Sequence, residues 1–265
     1  MFGGGATSLV AAMDALWIEP NWLRVTEHDV PVEKLPKMLD GYRIAQVTDA
    51  HLRHLGTVEE RIIQEIRSRD VGLVVLTGDI IDNPWALPLL DEFCHNLQGA
   101  HPTVLATLGN WEHRAHIPIR TLEQKYRSHG IRLLVNESEL VDEAICVAGT
   151  DDSTGGRMSL QKTMSTFTAA AVGLFLTHSP GVLDRVPAAV GQFNLTLAGH
   201  THGGQGRIGP FAPMRPPGSG RFISGWYQVP IGRAYVSCGT GTSVIRARFD
   251  CRPELPIFSL RRSAD

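Results

Sequence analysis

The sequence predicts an α/β protein in which most strands are buried on both faces. Five short apolar runs rich in Val, Leu, Ile and Thr, a polar motif at the carboxyl end of each, and amphipathic segments between them carry that prediction. The runs are Arg43–Thr48, Val71–Thr77, Thr103–Leu108, Val172–Thr177 and Phe193–Ala198. They deliver Asp49-Ala50-His51, Gly78-Asp79-Ile80-Ile81-Asp82, Gly109-Asn110-Trp111-Glu112-His113, Thr177-His178 and Gly199-His200-Thr201-His202-Gly203-Gly204-Gln205. In open α/β sheets ligand sites gather beyond the carboxyl ends of strands, so five motifs distant in sequence can share one cleft.

The intervening segments read as helices. Thr57-Val58-Glu59-Glu60 reads as a capping box that opens an amphipathic helix through Arg69. Pro84–Gln98 is helical with Gly99 at its end, and Pro118–His129 is stopped by Gly130. A further run, Ala144–Gly149, precedes Asp151-Asp152; a turn or cap accounts for that pair, with an accessory role at the site as the alternative. From Arg207 to Gly232 the texture turns to Gly, Pro and aromatic residues. So long a connection reads as a wall or lid over the cleft, with Arg215, Arg221, Phe222, Trp226 and Tyr227 as substrate contacts or loop packing.

The residue types in the five motifs point to divalent cations. Carboxylate, amide and imidazole donors suit Mn²⁺, Fe or Zn²⁺, and the sequence does not choose among them. The four cysteines are scattered with no C-x-x-C pair, so a thiolate site is excluded. A lone histidine is seldom a ligand; Asp49, His51, Asp79, Asn110, His178, His200 and His202 gain their weight as an ordered set at strand ends. Glycines 78, 109 and 199 read as turn residues that aim those ligands. His54, His116, Arg53 and Arg114 adjoin the motifs and read as solvated loop residues, with contact to substrate as the alternative.

Asp-x-His, Gly-Asp-x-x-Asp, Gly-Asn followed by an acid two positions later, a lone His and Gly-His-x-His, in that order, resemble the calcineurin-like metallophosphoesterases. The Gly-His-Thr-His-Gly-Gly-Gln form resembles a bacterial branch that includes membrane-associated phosphoesterases and a UDP-2,3-diacylglucosamine diphosphatase. The resemblance runs from about Leu35 to the C-terminus, taking in Tyr235–Thr242 and Arg252-Pro253-Glu254-Leu255 as closing strands. It implies a four-layer α/β/β/α sandwich of two mixed sheets over residues 35–265, behind an N-terminal extension of residues 1–34. It also implies two divalent ions, one on Asp49, His51 and His202, the other on Asn110, His178 and His200, with Asp79 bridging. Asp82 would steady a ligand imidazole. The activity implied is phosphodiester or pyrophosphate hydrolysis by a metal-bridged hydroxide, with a phosphoester or a nucleotide-diphosphate-linked small molecule or lipid as substrate.

One position departs from the family pattern. Trp111 stands where the family has a histidine that protonates the leaving oxygen, work worth about 10²–10⁴-fold for a general acid. Two readings are open: a substrate whose leaving group needs little protonation, or His113 acting from a shifted loop. The indole is also a candidate stacking wall.

Composition bounds the partners. The chain has 265 residues, 43% hydrophobic and 20% charged, enough for one sizeable domain. Its net charge of −2 gives no basic field for nucleic acid, which disfavours the nuclease alternative; a non-catalytic scaffold is the other alternative, and the full ligand set argues against it. Met1–Pro20 is apolar, but Asp14 interrupts it and no basic stretch precedes it, so it reads as the remnant of a signal or membrane segment rather than a complete one. The expectation is a cytoplasmic or membrane-associated protein with peripheral membrane contact, or an exported one if a signal preceded this segment.

Overall fold

The computed structural model describes residues 12–263 apart from 101 and 210. The reading of Met1–Pro20 therefore falls largely outside the described residues. Two six-stranded sheets pack face to face. The first runs in the order β1 (Arg24–Val32), β12 (Glu254–Arg262), β2 (Arg43–Val47), β3 (Leu73–Thr77), β4 (Thr103–Thr107), β5 (Arg132–Leu133). The second runs β10 (Gly225–Val229), β11 (Gly232–Val236), β9 (Phe193–Ala198), β8 (Val172–Leu176), β7 (Ile145–Gly149), β6 (Glu137–Val141). Both sheets are mixed: β12 is antiparallel to β2 within an otherwise parallel first sheet, and β10 and β6 are antiparallel edges on a parallel β11-β9-β8-β7 centre.

The period of two along each strand sorts apolar side chains into three layers. In the first sheet Ala45, Val47, Val74, Leu76, Val104 and Ala106 face outward onto the helices α1 (Thr57–Ser68), α2 (Leu87–Gln98) and α4 (Ile119–Ser128). Ile44, Leu73, Val75 and Leu105 point the other way and meet Val147, Leu174, Leu176, Leu195 and Leu197 of the second sheet. Ala148, Phe175, Ala198, Ala234 and Val236 face the far side, covered by Leu183, Val186 and Phe222 and by the short α5 (Leu160–Ser165). Three apolar interfaces among four layers give the expected α/β/β/α sandwich, with a fourth layer made more of turns than of helix.

The remaining helix, α3 (Asn110–Arg114), is a single turn that starts directly after β4. Two details differ from the sequence reading. The cap of α1 is Gly56, whose extended backbone N–H donates to Glu59 Oε2 at 2.9 Å, so Thr57 is already inside the helix. Arg207–Gly232 is not all loop: its alternation of Trp226 and Tyr227 to opposite faces makes Gly225–Val229 a strand paired with β11. At the N-terminal side, Arg24–Val32 lies within the segment set apart as an extension, yet it pairs with β12 along its whole length.

Arg248 is fully buried and ties the chain end to the strand tips. Its guanidinium donates to the carbonyls of Cys238, Gly239, Gly241 and Cys251. Replacing it leaves several buried acceptors unpaired, each costing roughly 1–3 kcal/mol. Arg248→Met is expected to lower the unfolding free energy by about 3 kcal/mol or more, read as a fall in the urea midpoint; an unchanged midpoint would show that water replaces those bonds.

Candidate metal centre

β2, β3 and β4 are adjacent parallel strands of one sheet, and β8 and β9 are adjacent parallel strands of the other. Their carboxyl ends open on the same side, which brings Asp49, Asp79, Asn110, His178, His200 and His202 together although they span 154 positions, from 49 to 202. All six are buried, as is His51.

Two buried groups of His and Asp side chains that could hold metal ions result: Asp49, His51 and His202, and Asp79, His178 and His200. In the first, His51 Nε2 and His202 Nε2 face each other at 3.2 Å, and His202 Nε2 lies 3.4 Å from Asp49 Oδ1. In the second, Asn110 Oδ1 lies 2.7 Å from His200 Nδ1 and 3.2 Å from His178 Nε2. Asp79 Oδ2 stands between them, 3.1 Å from His178 Nε2 and 3.9 Å from His51 Nε2. The structure thus brings together Asp49, His51, Asp79, Asn110, His178, His200 and His202, the set the sequence singled out.

The electrostatics show a site that calls for positive charge. Burial opposes protonation of His178, but Asp79, Asp49 and Asp152 outweigh it and hold the imidazole well above its ordinary value. Burial likewise opposes charge on His51, and Asp82, Asp79 and Asp49 prevail. Burial and the neighbouring imidazoles push His200 and His202 down, leaving their lone pairs free. Oxygen and nitrogen donors converging on buried carboxylates, with two imidazole nitrogens turned toward each other, fit two divalent cations.

Backbone geometry aims these side chains. Asp49, His51, Asp79, His200 and His202 all have φ between 44° and 71°, a region that non-glycine residues occupy at a cost of about 1–3 kcal/mol each. Five such residues in one place are held by the surrounding turns. Gly109 packs so closely that a Cβ there would overlap the Asp79 carboxylate, which explains glycine at that position. The loop after β11 supports the other side, where Thr240 and Gly241 donate to the carbonyls of Thr48 and Asp49 at 3.0 and 2.9 Å.

Glu112 is the residue whose role the sequence reading missed. Its fully buried carboxylate accepts from Asp79 N and Gly109 N, each at 2.9 Å, from Ile80 N at 2.7 Å and from Ile81 N at 3.3 Å. Burial, with Asp79 nearby, raises its pKa to about 7. An acid at the third position of a helix that begins on a strand-end glycine is the available signal. Gln205 was likewise unassigned: it donates to Ile245 O and accepts from Ser243 N, fixing a segment that forms one cleft wall.

The cleft above the two groups has a volume of about 350 Å³, and Trp111, Arg114, Met214, Arg215, Val244 and Ile245 are among the residues that line it. Beside Trp111 and Arg215, Arg114, read as a solvated loop residue, also lines the cleft, with its guanidinium over the indole at 5.3 Å. Asp82 lies 3.6 Å from His51 Nδ1, the placement expected of a carboxylate that steadies this imidazole; the contact holds Asp82 down to about 2.

Other candidates are not brought to the cleft. His113 turns away to Asp151, with Nε2 and Oδ1 at 2.6 Å. His54 lies in a neighbouring depression that it shares with His51, Leu16 and Arg246. Arg221 pairs with Asp184, Phe222 is buried in the outer apolar layer, and Trp226 packs edge-on against Tyr235 and Phe258. Trp226 follows the alternation of β10 inward, and Phe222 packs inward from the turn that precedes that strand. Asp151 and Asp152 are occupied by turns: Asp152 takes Thr154 and Gly155 N–H groups and Ser179 Oγ.

Residues 42–204 match the calcineurin-like phosphoesterase family. The chain belongs to that family. It is 29% identical over 282 residues to the uncharacterized metallophosphoesterase YkuE of Bacillus subtilis, covering 98% of this chain and 95% of that one. It is 25% identical to phosphodiesterase YaeI of Escherichia coli, over 92% of this chain and 90% of that one. It is 22% identical to the UDP-2,3-diacylglucosamine pyrophosphatase LpxG of Chlamydia trachomatis, over 75% and 76% of the two chains.

Glu112→Gln puts an amide N–H₂ in front of two backbone donors. This substitution is expected to cost about 2–4 kcal/mol of stability and to weaken Mn²⁺ binding at least about tenfold, measured by titration calorimetry. Unaltered metal affinity would show that the Asp79 turn holds itself.

Proposed function

We propose that this metallophosphoesterase hydrolyses a phosphodiester or pyrophosphate bond with the help of two divalent cations. The observation that supports it is the pair of buried His and Asp groups meeting at Asp79 on the floor of an open cleft. Asp49, His51 and His202 would hold one cation and Asn110, His178 and His200 the other, with Asp79 Oδ2 lying between the two groups. When bound, cations of this kind acidify water toward a pKa of about 7 and offset charge developing on phosphoryl oxygens. Mn²⁺, Fe and Zn²⁺ all suit the donors.

The chain's own groups complete the site. Trp111 N donates to Asp79 Oδ1 at 2.7 Å, which leaves Oδ2 turned toward the two histidine groups. Asp82 Oδ2, 3.6 Å from His51 Nδ1, places negative charge beside that nitrogen and so favours the tautomer that leaves the Nε2 lone pair free. Arg114 and Arg215 present fixed positive charge to a phosphoryl group in the cleft. Trp111 cannot deliver a proton to the leaving oxygen, and His113, paired to Asp151, is not among the cleft-lining residues. That favours a leaving group needing little protonation, such as a diphosphate. The names of the E. coli and C. trachomatis relatives, a phosphodiesterase and a pyrophosphatase, lie within this class.

The test uses metal-stripped protein reloaded with Mn²⁺ and assayed on bis-p-nitrophenyl phosphate and a nucleotide diphosphate ester. Activity is expected only with metal, and Asp79→Ala is expected to lower kcat/KM by about 10²–10³-fold or more. Trp111→His is expected to raise hydrolysis of an alkyl phosphodiester by about tenfold while changing the nitrophenyl ester little. Metal-loaded wild type that is silent on both substrates would sink the proposal.

A further inference from the structure

The four cysteines are scattered along the chain, but the fold brings two of them together. Cys238 follows β11 and Cys251 precedes β12, and their side chains hydrogen-bond to each other. Both sulfurs press on one point: a Cβ placed on Gly203 would lie 2.7 Å from Cys238 Sγ and 2.8 Å from Cys251 Sγ, so the position requires glycine. Such proximity is the first requirement for a disulfide. Each sulfur also has its own guanidinium, with Arg207 Nη2 at 3.9 Å from Cys238 Sγ and Arg248 Nη1 at 3.9 Å from Cys251 Sγ. Positive charge so placed favours the thiolate, the form that attacks a disulfide. The other two cysteines differ: burial holds Cys94 and Cys146 above the ordinary thiol range, and among the described residues neither accepts from an arginine. Cys238 and Cys251, although only 3% and 5% exposed, line a surface depression of about 570 Å³ whose other lining carries charges of both signs, and this gives a small molecule a route to the sulfurs.

We propose that Cys238 and Cys251 form a reversible disulfide that alters how the chain holds His202. The oxidant is a low-molecular-weight disulfide. One protein thiolate attacks it, its S–S bond breaks, and a small thiol leaves from the resulting mixed disulfide when the second protein sulfur attacks in turn. Two protein S–H bonds are lost and one S–S bond forms, while the small disulfide takes up the two electrons and two protons and departs as two thiols. In the reduced state Cys251 Sγ donates to His202 O at 3.2 Å, and Arg207 Nε donates to Gly203 O at 2.6 Å. Oxidation removes the S–H donor from the His202 carbonyl and draws the sulfurs together beside Gly203. It also closes a ring around residues 239–250, which carry Val244 and Ile245 of the cleft and the N–H groups of Thr240 and Gly241 that hold the Thr48 and Asp49 carbonyls. His202 and Asp49 are two of the three members of one buried group, so the oxidised form holds a cation there less tightly. The disulfide stands on the thiol pair alone; its coupling to the metal centre rests on the proposed metal site.

The experiment equilibrates folded full-length protein in graded mixtures of oxidised and reduced glutathione, followed by acid quench, alkylation and peptide mass spectrometry. Mn²⁺ titration calorimetry is then run on the fully reduced and fully oxidised forms. A cross-link between Cys238 and Cys251 is expected in the native protein, reversed by dithiothreitol, with Cys94 and Cys146 still free. Mn²⁺ affinity at one site is expected to fall about tenfold on oxidation. In Cys251→Ala the affinity is expected to be the same in oxidising and reducing buffer. Two free thiols in native protein under oxidising conditions, or a cross-link that forms only after unfolding, overturn the proposal. A cross-link that leaves Mn²⁺ affinity unchanged overturns the coupling and upholds the disulfide. A reversible cross-link in protein that binds no Mn²⁺ in either state also upholds the disulfide, and it removes the metal site together with the coupling.

Discussion

One carboxylate organises the centre of this molecule. Glu112 gathers the backbone N–H groups of Gly109, Asp79, Ile80 and Ile81, and so locks together the turns that follow β4 and β3. Those turns carry Asn110, which joins His178 and His200, and Asp79, which stands between the two groups. A buried acid is costly, and its pKa near 7 records that cost; four aligned donors compensate in part. Without that anchor, nothing else among the described contacts ties the Asp79 turn to the Gly109 turn so densely.

The second constraint is conformational. Five of the ligand candidates occupy left-handed backbone positions, so the polypeptide pays several kcal/mol to aim them before any cation arrives. The two layers of interleaved side chains beneath, Val74 and Leu76 on one face and Leu73 and Val75 on the other, supply the rigidity that sustains this strain. Rigid strands with strained tips fix donor positions better than mobile loops do. The imidazoles then fall into two kinds: carboxylates overcome burial and pull His178 and His51 up, while burial and neighbouring imidazoles push His200 and His202 down.

What was legible in the sequence follows from this physics. Strand cores such as Phe193–Ala198 were readable because apolar runs bounded by glycine leave few alternatives, and the ligands were readable because each follows such a run. The aromatic stretch around Trp226 misled, since a strand of only five residues beside Gly and Pro looks like loop until its partner β11 is present. Arg114 was underrated because its place depends on a one-turn helix whose direction no local pattern specifies. Glu112 stood in plain sight within a motif; its role appears only when four N–H groups from two strands are seen to converge, a long-range fact invisible to spacing.

Position 111 separates two functions that a motif merges. Its backbone N–H orients Asp79, and any residue there can supply that bond. Its side chain faces the cleft, edge-on to His51 with ring centroids 5.9 Å apart, and carries whatever chemistry the leaving group needs. A tryptophan is therefore compatible with an intact pair of histidine groups, and the change it brings is confined to the cleft: an acid is exchanged for a flat apolar surface buttressed by Arg114. With Met214, Val244 and Ile245 also lining the cleft, its walls are more apolar while Asp79, Asn110, His200 and His202 stay polar. The departure at Trp111 therefore alters the surface of the cleft without disturbing the two buried groups on its floor.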